Sequence, residues 1–228
     1  MTPLETRIGL HTWTLDTTPF VDVLRIARET GYTAIEVRWI DFQRCNCEVM
    51  MIAPGSGPAT NVEDAAHNFA AACSIAAKHG LLCALEYGSR HPVLNRLAIA
   101  REIVALADRP NAGLLIDTYH AQAAGEGGRG FAVVPAGQII AFQFSDVPAH
   151  PPAATAGGPP LDRLPPGEGT VRWREVLQLL MQKNYARYIN YEAPNPALWQ
   201  RPAAEVAKEG ITRIRELIAQ SRTNAGGG

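Results

Sequence analysis

Residues 81–120 read LLCALEYGSRHPVLNRLAIAREIVALADRPNAGLLIDTYH. An apolar run ends on Glu86, a second ends on Asp117, and Val93–Ala107 between them carries apolar residues at helical spacing. The two short runs are continuously apolar rather than alternating, as strands are when both faces are covered. Strand, helix, strand in this order is a parallel βαβ unit, and each strand delivers an acid at its C-terminal end.

Working outward, the same pattern repeats in both directions. Strands are expected at Arg7–Thr12, Ala34–Arg38, Cys47–Ala53, Leu81–Tyr87, Gly113–Asp117, Ile139–Phe144 and Tyr188–Glu192. Helices are expected at Pro19–Thr30, Val62–Lys78, Val93–Ala107, Trp173–Lys183 and Ala203–Ser221. Asn61 offers an N-cap oxygen before Val62, and Pro19 suits a first helical position after Thr18. Gly31 and Gly80 follow helices as left-handed caps.

Parallel strands with crossover helices make an open sheet or a closed barrel, and periodicity does not separate the two. No glycine-rich phosphate loop follows the first strand, which removes the main argument for a dinucleotide-binding open sheet. The run GEGGRG (125–130) neither follows a strand directly nor opens a clear helix, and reads as a flexible loop. Residues 147–170, VPAHPPAATAGGPPLDRLPPGEGT, form a long loop of the kind that serves as a functional cover or as a tolerated insertion. Only Trp39 to Asn46 separate the second and third strands, fewer than the roughly ten to twelve residues of a parallel crossover. About one βα unit is therefore expected to be missing between residues 39 and 46.

The chain has 228 residues, ordinary for one α/β barrel and short for two full domains, so residues 1–222 are expected to form one domain with a tail at 223–228. With 21 basic against 22 acidic residues there is no field of one sign, which argues against nucleic acid or an anionic membrane as partner. No apolar run approaches the roughly 18 residues of a membrane helix, and the first residues lack a signal-peptide pattern, so a cytoplasmic protein is expected. Cys45 and Cys47 have no second pair to complete a zinc site, and Cys73 and Cys83 read as small buried hydrophobes.

Four later strands end in an oxygen donor: Glu86, Asp117, Gln143 and Glu192. In a barrel the C-terminal strand ends build the active face, so these side chains converge there. Carboxylates gathered at the ends of apolar strands repel one another and protonate unless a cation neutralises them. One divalent ion answers that cost, and an all-oxygen set suits Mn²⁺ or Mg²⁺, with Zn²⁺ or Co²⁺ also admissible. The alternative is that the acids pair with nearby arginines such as Arg38 or Arg90. His11 and Trp13, after the first strand, are placed to line a pocket. Glu36 and Arg38 point the same way on the second strand, as a charged floor or a site for a substrate carboxylate.

RIGLHTWTLDTTPFVDVLRIARETGYTAIEVRW (7–39), GLLCALEY (80–87), GLLIDTYH (113–120) and the closing PPGEGTVRWREVLQLLMQKNYARYINYEA (165–193) resemble the xylose isomerase-like barrels. That superfamily holds sugar isomerases, epimerases, some dehydratases and endonuclease IV. The resemblance implies Glu86, Asp117 and Glu192 as metal ligands, with Gln143 where the family usually has a histidine three residues before an aspartate, here Asp146. It implies catalytic roles for Glu86 and Glu192, proton transfer or substrate contact at His120, and a place for Glu168 near the substrate mouth. The implied reaction is metal-assisted isomerisation or epimerisation of a small sugar-like hydroxy-carbonyl compound through an enediolate.

A Glu-Asp-Gln-Glu set is similar to that of some 3-dehydroshikimate dehydratases, so a lyase is one alternative. A catalytically impaired relative that binds metal or ligand is another, given the short segment 39–46. An endonuclease role is set aside: the chain has 6 histidines and no basic face. The resemblance also admits a homodimer, though no stretch of sequence identifies an interface.

Overall fold

The computed structural model describes residues 4–38, 47–53, 61–150 and 159–223. Its strands are Ile8–His11 (β1), Ala34–Glu36 (β2), Val49–Ile52 (β3), Leu82–Leu85 (β4), Ala112–Asp117 (β5), Ile139–Phe144 (β6) and Ile189–Tyr191 (β7). They form one sheet in the order β2-β1-β7-β6-β5-β4-β3, and every paired neighbour runs parallel. The sheet curls into a half-barrel of the (β/α) type, with helices outside.

The helices are Phe20–Thr30 (α1), Val62–Ala77 (α2), Leu97–Ala107 (α3), Thr118–Ala123 (α4), Trp173–Gln182 (α5), Pro196–Trp199 (α6) and Ala203–Thr223 (α7). Asn61 caps α2 by accepting from Asp64 N at 2.7 Å. Gly31, at φ +93°, closes α1 with its N–H on Ala27 O at 3.0 Å. Such a φ favours a residue without Cβ.

The segment 39–46, where a βα unit is expected to be missing, lies outside the described residues. What flanks it is clear: β2 and β3 are the two edges of the sheet and do not pair with each other. No helix among the described residues is long and apolar enough to cross a membrane.

Two apolar regions follow from strand alternation. Outward-facing residues such as Ile8, Leu10, Cys83, Leu85, Leu114, Ile116, Phe142 and Phe144 pack under the helices in the main core. The concave face holds a smaller cluster of Ala84, Leu115, Ile140 and Ala141, with Val49, Met51 and Leu82 against it. Continuing β4, β5, β6 and β7 along that concave parity leads to Glu86, Asp117, Gln143 and Glu192. The apolar layer closes one end of the half-barrel, and the polar residues cap it at the C-terminal end.

Four helix starts differ from the sequence expectation: Pro19 is the N-cap of α1 rather than its first residue, and the other three differ for local reasons. Helix α3 begins at Leu97 rather than Val93, because His91 Nδ1 accepts from Val93 N (3.1 Å) and Leu94 N (2.9 Å) and holds that stretch as a turn. The first amide of α3 instead donates to Glu126 Oε2 at 2.9 Å, a cap supplied by the glycine-rich loop. Helix α4 was not expected; Asp117 caps it by accepting from Tyr119 N at 2.8 Å. Helix α6 was also passed over, although Asn195 as N-cap with Pro196 at the first position is a start signal.

Candidate metal centre and active site

The strand ends are locked to one another by short hydrogen bonds. Thr118 Oγ1 donates to Ser145 O at 2.7 Å and accepts from Ser145 N at 3.1 Å, fixing the end of β5 against that of β6. Thr14 Oγ1 donates to Tyr191 O at 2.9 Å and accepts from Ala193 N at 3.0 Å, which brackets Glu192. Glu86 N and Glu192 N donate to Ile52 O and Phe144 O, continuing the ladders by one step. Rigid backbone of this kind is what a precise first layer of ligands requires.

Glu86, Asp117, Gln143 and Glu192 are all buried, Asp117 and Gln143 with no exposure at all. Donor atoms of Glu86, Asp117 and His120 lie within 4.8 Å of one another. Gln143 is the register partner of Asp117 on one side and of Asn190 on the other. Glu36 reaches in from β2, where its Oε1 accepts from Gln143 Nε2 at 2.9 Å.

The cation that meets these acids is Arg163, from the described end of the proline-rich loop. Its Nη1 stands 2.6 Å from Asp117 Oδ2 and 3.2 Å from Glu192 Oε2, and it also donates to Ser145 Oγ at 3.3 Å. The guanidinium lies 4.8 Å from the centre of the Tyr119 ring. Asp146 anchors this end of the loop. Its Oδ1 accepts from Val147 N and Val171 N, each at 2.9 Å, and its Oδ2 from Gly167 N at 2.8 Å and Trp173 Nε1 at 2.7 Å. Leu164 also bridges to Asp146 in antiparallel fashion.

Among the nearby arginines named as alternative partners of the acids are Arg38 and Arg90. Arg38 instead pairs with Asp16 at 2.5 Å, and Arg90 donates to Tyr119 Oη at 3.4 Å. Arg163 was missed because it sits among prolines in a stretch that reads as insertion; a lone cation beside PPGEG was the available signal.

His120 and His11 flank the acids. Ser89 N donates to His120 Nδ1 at 3.1 Å, so in the neutral ring the proton sits on Nε2. That atom faces Asp117 Oδ2 at 3.8 Å and Glu86 Oε1 at 4.0 Å. His120 therefore presents a proton donor toward the acids rather than a lone pair for a metal. The 3.4 Å approach of Arg163 Nη2 to Nε2 is then a contact between two donors. His11 Nδ1 accepts from Trp13 N at 3.0 Å, leaving its Nε2 3.6 Å from Glu192 Oε1. Trp13 itself is half-buried.

Glu168, expected near the substrate mouth, is exposed and pairs with Arg213 of α7 at 2.5 Å. Gly167, at φ +87°, turns the chain there, and Asp146 holds Gly167 from the inner side.

The electrostatics state the problem that a cation answers. Burial raises Glu86 well above the ordinary carboxylate range, and the neighbouring charges of Glu192 and Asp117 add to it. Burial likewise raises Glu192, against the pull of Arg163. Glu36 is pushed up to about 8 by burial and by Glu192. Burial lowers His120 to about 4 and His11 to about 3, keeping both neutral near pH 7. Burial disfavours the charge on Arg163, but Asp117, Glu192 and Glu86 outweigh it and hold the guanidinium firmly protonated.

Glu86 Oε1 and Gln143 Oε1 are buried without a hydrogen-bond partner, and Glu192 Oε2, also buried, has only the Arg163 guanidinium at 3.2 Å. Buried oxygens from three strand ends, two of them lacking any donor, together with Asp117, are a fitting set for one hard divalent cation.

Residues 38–217 match the family model described as "Xylose isomerase-like TIM barrel". The chain belongs to that family. A curated relative, inosose isomerase of Halalkalibacterium halodurans, is 27% identical over 150 residues, covering 65% of this chain. The chain spans about half, 52%, of that relative's length. Among solved structures, the IOLI protein with a bound zinc atom superposes with a TM-score of 0.80 at 16% identity, over 94% of this chain and 99% of that one. The probable 3-DHS dehydratase AsbF of Bacillus anthracis gives 0.67 at 15% identity, over 90% and 97%. At these identities the two structures speak to fold: this member of the xylose isomerase-like family shares one barrel with both.

Proposed function

We propose that this protein is a divalent-metal-dependent isomerase or epimerase of small sugar-like hydroxy-carbonyl compounds. The observation that carries the reading is the set of buried strand-end oxygens of Glu86, Gln143 and Glu192 beside Asp117, with Glu86 Oε1 and Gln143 Oε1 lacking any partner. Those residues would hold the ion, and the likeness to inosose isomerase supports the reaction class. A bound dication supplies Lewis-acid polarisation of a carbonyl and its adjacent hydroxyl. Mn²⁺ or Mg²⁺ suits the oxygen donors, and Zn²⁺, which the IOLI protein carries, is the next choice.

The remaining work falls to side chains. Glu86 and Glu192, both raised by burial, take a proton from the carbon beside the carbonyl and return one to the neighbouring carbon or the opposite face. His120, its Nε2–H fixed by the Ser89 amide, donates to a substrate oxygen as negative charge develops. Arg163 balances the acids and supplies a second fixed positive charge. His11 and half-buried Trp13 border the mouth.

The test is incubation of inosose and a panel of ketoses with the Mn²⁺-loaded protein in D₂O. Deuterium wash-in beside the carbonyl is expected, abolished by chelation and by Glu192→Gln. Metal bound with no exchange on any substrate would instead identify a degenerate binder. Gln143 in place of the family's histidine favours a second reading, dehydration. It predicts a new conjugated chromophore when 3-dehydroshikimate is supplied, and no chromophore would remove it.

A further inference from the structure

Gln143 has two chemically opposite ends, and each meets different surroundings. Its Nε2 donates to Glu36 Oε1 at 2.9 Å, while its Oε1 is buried and unpartnered. Turning a terminal amide over costs little by itself, so its partners decide which end faces which way. Left among Glu86, Asp117 and Glu192 alone, the amide would point its N–H groups at the carboxylates. Nitrogen-first, it could donate no lone pair to a cation.

Glu36 reverses that preference by offering an acceptor oxygen, Oε1, on the other side. Its own placement is built in. Asn190 on β7 stands beside the same carboxyl group and favours its charged form. Gly9 makes room for Asn190, since a Cβ there would lie 1.9 Å from Asn190 Oδ1. The chain thus spends three positions of its barrel interior, on β1, β2 and β7, around one amide on β6.

We propose that Glu36 is a positioning residue that acts through Gln143, holding the amide oxygen-first toward the acids. This rests on the reading of Glu86, Asp117, Gln143 and Glu192 as the metal-holding set. Partners that orient a metal ligand typically change affinity by about 10–100-fold when removed.

The experiment is calorimetric titration of the metal-free full chain with Mn²⁺. Glu36→Met, similar in volume but without a carboxylate, is expected to weaken Mn²⁺ about 10–100-fold. Glu36→Gln, which keeps an acceptor and loses the charge, should restore affinity to within a few-fold. In a Gln143→Ala background, Glu36→Met should change little further. Equal losses for Glu36→Met and Glu36→Gln, or an undiminished loss in the Gln143→Ala background, would show Glu36 acting by charge alone and overturn the proposal.

Exchange of the Gln143 side-chain amide protons, followed by NMR without metal, reads the orientation separately. Slow exchange in the parent chain and fast exchange in Glu36→Met supports it; equal exchange in both overturns it. A parent chain that binds no Mn²⁺ would sink the metal reading, while the exchange measurement still decides the role of Glu36.

Discussion

Arg163 Nη1 stands 2.6 Å from Asp117 Oδ2, and both side chains are shut away from water. Breaking a buried pair by removing one partner typically costs about 3–5 kcal/mol, because the other charge is left uncompensated. Arg163→Met is therefore expected to destabilise the metal-free protein by roughly that amount in urea unfolding. Saturating Mn²⁺ should recover most of the loss, because a cation bound by the same acids replaces the missing charge. A variant as stable as the parent without metal would show that Arg163 is not the charge that balances the cluster.

The strand ends that carry Glu86, Asp117, Gln143 and Glu192 were legible because strand and helix repeat with the period of a βα unit, and each strand stops on an oxygen donor. All four are buried. What was not legible depends on contacts across the fold. Arg163 lies in a loop whose composition resembles insertion, yet Asp146 gathers four N–H donors to fix its end. The pair of Glu168 with Arg213 of α7, next to the turn at Gly167, is likewise a contact that local pattern does not show. Glu36 was seen as a charge on the second strand; its bond to Gln143 spans 107 positions, beyond the reach of local pattern.

Stability of the metal-free protein should fall as pH rises from about 6.5 to 8. Glu36, raised to about 8, still holds its proton there in the folded state, whereas the unfolded chain released it near 4.5. Glu86 is raised in the same direction. The folded state then binds more protons, and the slope of stability against pH is negative, at most about 1.4 kcal/mol per pH unit for each retained proton. Between about 4 and 6.5 the opposite slope of His120 and His11, both lowered, offsets part of this. Melting temperatures measured across pH 6.5–8 check it. Mn²⁺ should flatten the decline, and a metal-free melting temperature that climbs over this window would contradict it.

His120→Asn should lower turnover by about 10²–10⁴-fold, the usual range for a lost acid–base group. Mn²⁺ affinity should stay within a few-fold, because Nδ1 is engaged by Ser89 N and Nε2 carries the proton. Steady-state kinetics beside a Mn²⁺ titration separates the two effects. Loss of metal binding in His120→Asn would instead make this histidine a ligand.

Anomalous diffraction from crystals soaked in Mn²⁺ tests the metal centre most directly. One strong peak per chain is expected, ligated by oxygens of Glu86, Asp117, Gln143 and Glu192 and absent in Glu192→Gln crystals. No peak at that place, with Arg163 still bridging Asp117 and Glu192 in saturating Mn²⁺, would contradict the account.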